Sequence, residues 1–397
     1  MVNRRKEEQI VRAQLESLNI ENIDLYAEVQ TLDISVQQRL EIAKAISRNP
    51  RFLLLDEPSS ALSRRDVEWL AGQISRLRSN GVTIIYITHI FKEVHMFCDS
   101  LTVLRNGKNV GSFQEKEITD QELIRLVIGR SLDVVFPHKE QSARNRQQAP
   151  ALSGKDLATQ GGLKGVSFQL WPGEVLGLAA LQGMGQTELF HVLFGDSDLI
   201  EGYVERNGHK IRMSSPADAI QLGIGLIPHD RKNEGLFLQR SGKHNVTLPA
   251  LKKFTSFGLI KSRYEELVVD QILARINIHP SAIYKHAFSL SGGNQQKVII
   301  AKWLSTGSQI LLMLDPTRGI DVGTKYEVYR IIRDFIKEEI RAVFIYSSEI
   351  PELIGLCDRV LVMYQGKLNG EFYGSEMTEE NIMSAMLGVK QGEKVNE

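Results

Sequence analysis

Two cysteines in 397 residues, no net charge and no apolar run long enough to cross a bilayer set the first limits on this chain. Cys98 and Cys357 stand at matching places of an internal repeat, one per domain, so they read as core residues and exclude a disulfide scaffold or a metal-binding pair. With 48 basic and 48 acidic residues there is no electrostatic footprint for nucleic acid or anionic lipid. The longest apolar stretches, Val175 to Leu181 and Ile310 to Leu314, fall far short of a spanning helix, so any membrane contact is made through a partner. Met1-Val2-Asn3-Arg4-Arg5-Lys6-Glu7-Glu8 leads into a charged helix rather than a signal peptide, and a reducing cytoplasm is the expected setting. What remains, 42% hydrophobic and 24% charged, is ordinary globular sequence, enough for two domains.

The chain says nearly the same thing twice. Leu290-Ser291-Gly292-Gly293-Asn294-Gln295-Gln296 runs into Ala301-Lys302, and 258 residues earlier Leu32-Asp33-Ile34-Ser35-Val36-Gln37-Gln38 runs into Ala43-Lys44. The same offset carries Pro58 to Pro316. An offset of 259 carries Cys98-Asp99 to Cys357-Asp358, Gly107-Lys108 to Gly366-Lys367 and Gly129 to Gly388. Such a duplication lets the copies be compared position by position. Residues 10–31 and 36–49 read as helices, 52–56, 83–88 and 101–105 as strands, and Arg64 to Asn80 as a helix between the first two strands. That alternation predicts a parallel α/β sheet. Residues 1–135 are expected to form the first domain, the polar, aperiodic stretch 136–150 a linker, and 151–397 the second domain. The copies are unequal: 103 residues separate Thr187, in a glycine-bearing turn, from Leu290, whereas only 31 precede Leu32. The chain is therefore expected to begin inside the first copy.

Leu290-Ser291-Gly292-Gly293 followed by two glutamines resembles the signature motif of ATP-binding cassette (ABC) ATPases. In the first copy, Phe52-Leu53-Leu54-Leu55 ending in Asp56-Glu57-Pro58, then Ser59-Ser60-Ala61-Leu62, then Ile84-Ile85-Tyr86-Ile87-Thr88-His89 follow in the order of Walker B, D-loop and switch histidine. Gly173-Glu174-Val175-Leu176-Gly177-Leu178-Ala179, Ile227-Pro228-His229-Asp230-Arg231-Lys232-Asn233-Glu234-Gly235-Leu236 and Thr317-Arg318-Gly319-Ile320-Asp321-Val322-Gly323 resemble the second cassette of twin-cassette sugar importers of the ribose/galactose class. The resemblance implies an α/β fold of P-loop NTPase cassettes, one partial and one complete, each with a mixed or parallel sheet flanked by helices and a helical subdomain. It also implies an ATPase that drives uptake of a monosaccharide or related carbohydrate, seated on the inner face of the cell membrane. Its partners would be transmembrane permease subunits, an external sugar-binding protein reached through them, and possibly a second chain supplying the first phosphate loop. ATP and Mg2+ would be its cofactors.

Cassettes of this family work in head-to-tail pairs, so the resemblance sorts the residues into two composite sites. In the first, Asp56 would hold magnesium through water, Glu57 would polarise the attacking water and His89 would contact the γ-phosphate. Opposite them would stand Ser291, Gly292, Gly293 and Gln295, with N–H groups aimed at phosphate and a helix opening after Asn294. The second site is degenerate. Gly183, Gly185 and Thr187 keep a phosphate-loop pattern, but Gln186 replaces its lysine, a loss of roughly 1.5–3 kcal/mol for one charge-assisted bond. Leu314 stands for Asp56, Asp315 for Glu57 and Ser348 for His89, and the facing signature has Asp33 and Ser35 in place of serine and glycine. His229 takes the place of a metal-sensing glutamine. Gly183-Met184-Gly185 is equally readable as a loop without a ligand, and Arg231, Lys232 and Arg318 as surface or intercassette charges. Two other functions stay open: a non-hydrolytic, nucleotide-responsive scaffold, and a soluble twin-cassette translation factor, which neutral charge argues against.

Overall fold

Uninterrupted aliphatic runs make the central strands of the second copy, and alternating burial makes those of the first, so the same motifs fold into two different surroundings. The computed structural model describes residues 4–20, 23–59, 62–88, 90–105, 107–119, 122–123, 126, 136–137, 148–338 and 340–389. His89 and most of the segment read as a linker, 138–147, lie outside the described residues. The chain divides into two units, Met1–Leu132 and Asp133–Glu397.

The first unit holds strands β1 Phe52–Asp56, β2 Thr83–Ile87, β3 Ser100–Arg105 and β4 Lys108–Gln114, with helices Arg4–Ser17, Ile34–Ile46, Arg64–Ser79 and Phe91–Phe97. β1 and β2 pair in parallel, β3 and β4 antiparallel. The helix read over 10–31 ends at Ser17, because Asn19 turns left-handed (φ 56°) and drops Leu18 and Ile20 into the core. That core also takes Ile42, Ile46, Leu53, Leu55, Leu70 and Ile74. Helix Arg64–Ser79 starts on a capping box in which Ser63 and Asp66 bond reciprocally, worth about 1 kcal/mol.

The second unit contains β5 Leu152–Ala158, β6 Lys164–Leu170, β7 Val175–Ala180, β8 Glu201–Arg206, β9 His209–Ile211, β10 Ile224–Ile227, β11 Thr255–Ser256, β12 Leu259–Ile260, β13 Ile310–Leu314, β14 Ala342–Tyr346, β15 Arg359–Tyr364 and β16 Lys367–Tyr373. Six of them form one sheet in the order β10-β13-β14-β7-β15-β16, parallel except for the last pair; β6-β5-β8-β9 form an antiparallel sheet. Every residue of β7, β13 and β14 is buried, as expected of parallel strands covered on both faces. Phe136, placed by composition in the linker, belongs to this unit and stacks on Tyr329 with ring centroids 5.1 Å apart. No helix among the described residues is long and apolar enough to cross a membrane.

The repeat is visible in backbone detail. The irregularity between Val103 and Leu104 in the β3–β4 pair recurs between Val362 and Met363 in β15–β16, 259 residues on. One element breaks the match. In the second unit β7 lies between β14 and β15, whereas among the described residues of the first unit no strand joins β2 to β3.

Candidate functional site

β7 ends at Ala180 and leads through Leu181–Gly185 into helix Gln186–Leu193, which starts from a left-handed Gly185 (φ 103°). Gly183 is also left-handed (φ 81°), so both glycines are required by the turn, and its backbone has the form of an anion-binding loop. Gln186 does not reach outward as a lysine would. It is buried, and its Oε1 accepts from Met184 N–H at 3.0 Å, so the side chain occupies one of the loop's own anion-binding donors. Tyr346 lies beside it, its hydroxyl 3.5 Å from Ala180 O, and burial pushes that phenol up to about 12, which keeps it a neutral donor.

The end of β13 shows the other half of this site. Leu314 is 1% exposed and offers no oxygen to a cation. Asp315 adopts φ 47° and donates its N–H to Tyr346 O at 2.9 Å. Its Oδ1 accepts from Ser348 N–H at 2.7 Å and Ser348 Oγ at 3.0 Å, while Oδ2 stands 3.7 Å from His229 Nδ1. Burial raises the Asp315 carboxyl above its ordinary range, and the Ser348 and His229 contacts offset part of that. Arg318 donates to His229 Nε2, on the ring edge opposite the Nδ1 that faces Asp315. The residues at this strand end do not suit magnesium: the Asp315 carboxylate is fastened to Ser348 and its neighbour Leu314 is aliphatic.

The corresponding residues of the first unit keep the backbone and change the surroundings. Glu57 has φ 44° and donates its N–H to Ile87 O at 2.9 Å, the repeat-equivalent of the Asp315 bond. Both Asp56 and Glu57 are exposed at the C-terminal end of β1. An exposed carboxylate is the kind of oxygen donor that suits magnesium, directly or through water. Each unit has a further carboxylate that sequence inspection missed although the offset of 259 connects the two. Glu93 accepts from Tyr86 OH at 3.0 Å and Thr88 Oγ1 at 2.7 Å; Glu352 accepts from Ser347 Oγ at 2.8 Å, Thr317 Oγ1 at 2.7 Å and Tyr329 OH at 2.5 Å. These buried acids pin the loop that follows β2 in the first unit and β14 in the second.

The signature turn sits at the start of helix Gly292–Thr306, which opens before Asn294 rather than after it, with Ser291 Oγ accepting from Asn294 N–H at 3.4 Å. Gln295 is buried and donates to Ala287 O at 3.0 Å, so its role is to hold the turn. Gly293 is sterically required, since a β-carbon there would stand 2.5 Å from Thr324 Cγ2. In the first unit Asp33 makes no cap bond, and Ile34, in the place of Gly292, is 69% exposed. That helix start presents an apolar side chain and an acid where the other presents bare N–H groups. Gly183, Gly185, Gln186 and Thr187 thus gather with Leu314, Asp315 and Ser348, while Ser291, Gly292 and Gly293 form a separate surface of the same unit. Arg231, half-buried, and Arg318, exposed, read from sequence as surface or intercassette charges, are also bonded within the unit: Arg231 donates to the carbonyls of Arg318 and Gly319, and Arg318 donates to His229.

The ABC transporter family model matches residues 163–318. The ribose import ATP-binding protein RbsA 1 of Rhizobium johnstonii is 40% identical over 391 residues, 98% of this chain and 76% of that protein. The ribose import ATP-binding protein RbsA of Bacillus licheniformis is 37% identical over 98% of this chain and 77% of that protein. Among solved structures, cbiO1 from Clostridium perfringens, part of the ABC transporter complex cbiONQ, is similar with a TM-score of 0.51 at 23% identity, covering 59% of this chain and 93% of that chain. A nucleotide-free ATP-binding cassette from an ABC transporter gives 0.53 at 20% identity, over 62% and 100%. These structures speak for the fold alone.

Proposed function

Because this chain belongs to the ATP-binding proteins of ABC transporters, we propose that it powers the import of ribose or a closely related monosaccharide and that hydrolysis is confined to the chemistry of its first unit. The observation that carries this reading is the contrast between two equivalent strand ends. Asp56 and Glu57 are exposed, whereas Leu314 is an aliphatic plug and Asp315 is bonded to Ser348. Magnesium bound with ATP would neutralise phosphate charge beside Asp56; Glu57 would orient and deprotonate the attacking water, and His89 would meet the γ-phosphate. In the assembled transporter, Ser291, Gly292 and Gly293 would supply N–H groups to the phosphates.

The strand slot between β2 and β3 fits, in this reading, a strand, phosphate loop and helix of the Val175–Leu193 kind carried by another stretch of polypeptide. Permease subunits and an external sugar-binding protein complete the assembly, with this chain on the inner membrane face. Glu57→Gln in the complete transporter tests the assignment: turnover should fall about 100-fold or more, the size of a general-base contribution. Turnover lost equally in Asp315→Asn would put the chemistry at the other strand end.

A further inference from the structure

The segment after β13 is fastened at nearly every residue by a different part of the second unit. Asp315 accepts from Ser348, Thr317 donates to Glu352, and Arg318 donates to His229. The last fastening is Arg231, whose Nη1 donates to Arg318 O at 2.8 Å and whose Nη2 donates to Gly319 O at 3.2 Å. The same guanidinium also walls the signature turn. A β-carbon built on Gly292 would stand 3.4 Å from Arg231 Nη2 and 3.3 Å from Gly319 O. The loop that carries Arg231 is braced twice, by Asp230 accepting from Lys232 N–H and Asn233 N–H at 2.9 and 3.0 Å, and by Lys302 of the signature helix donating to Gly235 O at 2.9 Å.

We propose that Arg231 is a positioning residue, a strut that ties the turn after β13 to the signature turn so that a change at the Gln186 loop and Asp315 is felt at Ser291-Gly292-Gly293. This rests on the reading of that turn as a phosphate-binding surface. The chemistry selects arginine. A planar fork can donate to two successive carbonyls while its outer face lies against a glycine, and an ammonium on a flexible stem cannot hold that geometry. The side chain is only partly buried, so its removal leaves the apolar core intact.

Arg231→Lys and Arg231→Gln separate this role from its rivals. In the complete transporter, kcat should fall about tenfold in both, the size of one lost charge-assisted hydrogen bond, with KM for ATP within about twofold of wild type. In the full-length chain, amide hydrogen exchange at residues 292–296 should quicken in both variants while β13 and β14 stay protected. A raised KM at unchanged kcat would make Arg231 a direct nucleotide contact and overturn the proposal, as would unchanged exchange at the signature turn or rescue by lysine. If Glu57→Gln left turnover intact, the assignment of hydrolysis would fail, yet the exchange experiment would still decide on the strut.

Discussion

Phe52, Leu54, Ile85 and Ile87 of the first unit are 67, 68, 52 and 51% exposed, while their repeat-equivalents Ile310, Leu312, Phe344 and Tyr346 are 0, 0, 0 and 6% exposed. The residues are similarly apolar, so composition does not set the difference. The cover does. In the second unit Phe344 packs against Phe168 and Phe190, with centroids 5.1 and 4.9 Å away, and helix Gln186–Leu193 packs on β13. The described residues of the first unit hold no such layer over β1 and β2. A strand sequence is thus selected for a buried face whether or not that face is covered within its own unit. The comparison also separates two kinds of inheritance: the left-handed turn after β1 or β13 stands in both copies, while the exposed Asp-Glu pair stands in one.

The sharpest test of that separation exchanges the strand ends. Asp56→Leu in the complete transporter should abolish turnover, about 100-fold or more, since the carboxylate proposed to hold magnesium is replaced by the second copy's own residue. Leu314→Asp should not create a second hydrolytic site, because Gln186 still caps Met184 N–H and Asp315 is still tied to Ser348. Steady-state ATPase rates decide. A gain of turnover in Leu314→Asp would show that one side chain, and not the whole pocket, had switched the site off.

Next in size is the packing contrast. Leu312→Ala should cost the second unit about 2–5 kcal/mol, the range for emptying a closed core position, whereas Leu54→Ala in the first unit should cost under about 1 kcal/mol and reduce self-association. Denaturant unfolding and sedimentation of the full chain would show this. Equal losses would mean that the β1 face is covered in solution.

Lys302 gives a smaller, pH-resolved effect. Its repeat partner Lys44 is exposed and paired with Glu41, but Lys302 is desolvated beside Trp303, with Gly235 O as its acceptor, and burial lowers it to about 8. Between about pH 8 and its ordinary value of 10.5 the folded chain therefore binds fewer protons than the unfolded chain, so stability rises with pH across that window. Below pH 8 both states hold the proton and the burial penalty is fully present, up to about 3 kcal/mol at about 1.4 kcal/mol per pKa unit. Lys302→Met should raise the Tm at pH 7 and flatten the alkaline rise. A Tm that rises with pH equally in both proteins would assign the effect to another group.

Much of this was legible in the chain because repeat arithmetic does not depend on folding. The strands 52–56, 83–88 and 101–105 and the helix after Ser63 could be read from the chain to within a residue, and the offset sets Asp56-Glu57 beside Leu314-Asp315. Leu18 and Ile20 continue the apolar period of the first helix, so sequence alone carries it past its end at Ser17; only burial explains why Asn19 breaks it. Contacts across long separations were not legible. Nothing in Gln186 announces that it will fold onto Met184 N–H, and Arg231 meets Arg318 and Gly319 only because β10 and β13 are neighbours. Glu93 and Glu352 could have been found, since they share the repeat offset and each follows a strand and a hydroxyl residue. The signal was there, but a buried acid looks like a surface one until its donors are seen.

The smallest expected effect comes from a turn where the first copy has the better residue. Gly81 has φ 77° in the turn before β2, and its equivalent 259 residues on is Ile340, at φ 74° before β14. A β-branched residue there sets its β-carbon against the following carbonyl, a strain of roughly 1–2 kcal/mol, and glycine returns part of that gain through a freer unfolded chain. Ile340 is 49% exposed, so little burial is lost on its removal. Ile340→Gly should therefore stabilise the second unit by about 0.5–1 kcal/mol, a rise of roughly 1–4 °C in Tm for a unit of this size. Gly81→Ile should destabilise the first unit by a similar or larger amount. Calorimetry of the two variants tests the pair together. A lowered Tm in Ile340→Gly would mean that the isoleucine side chain makes a contact worth more than its backbone strain, and that the second copy had exchanged an easy turn for a packed one.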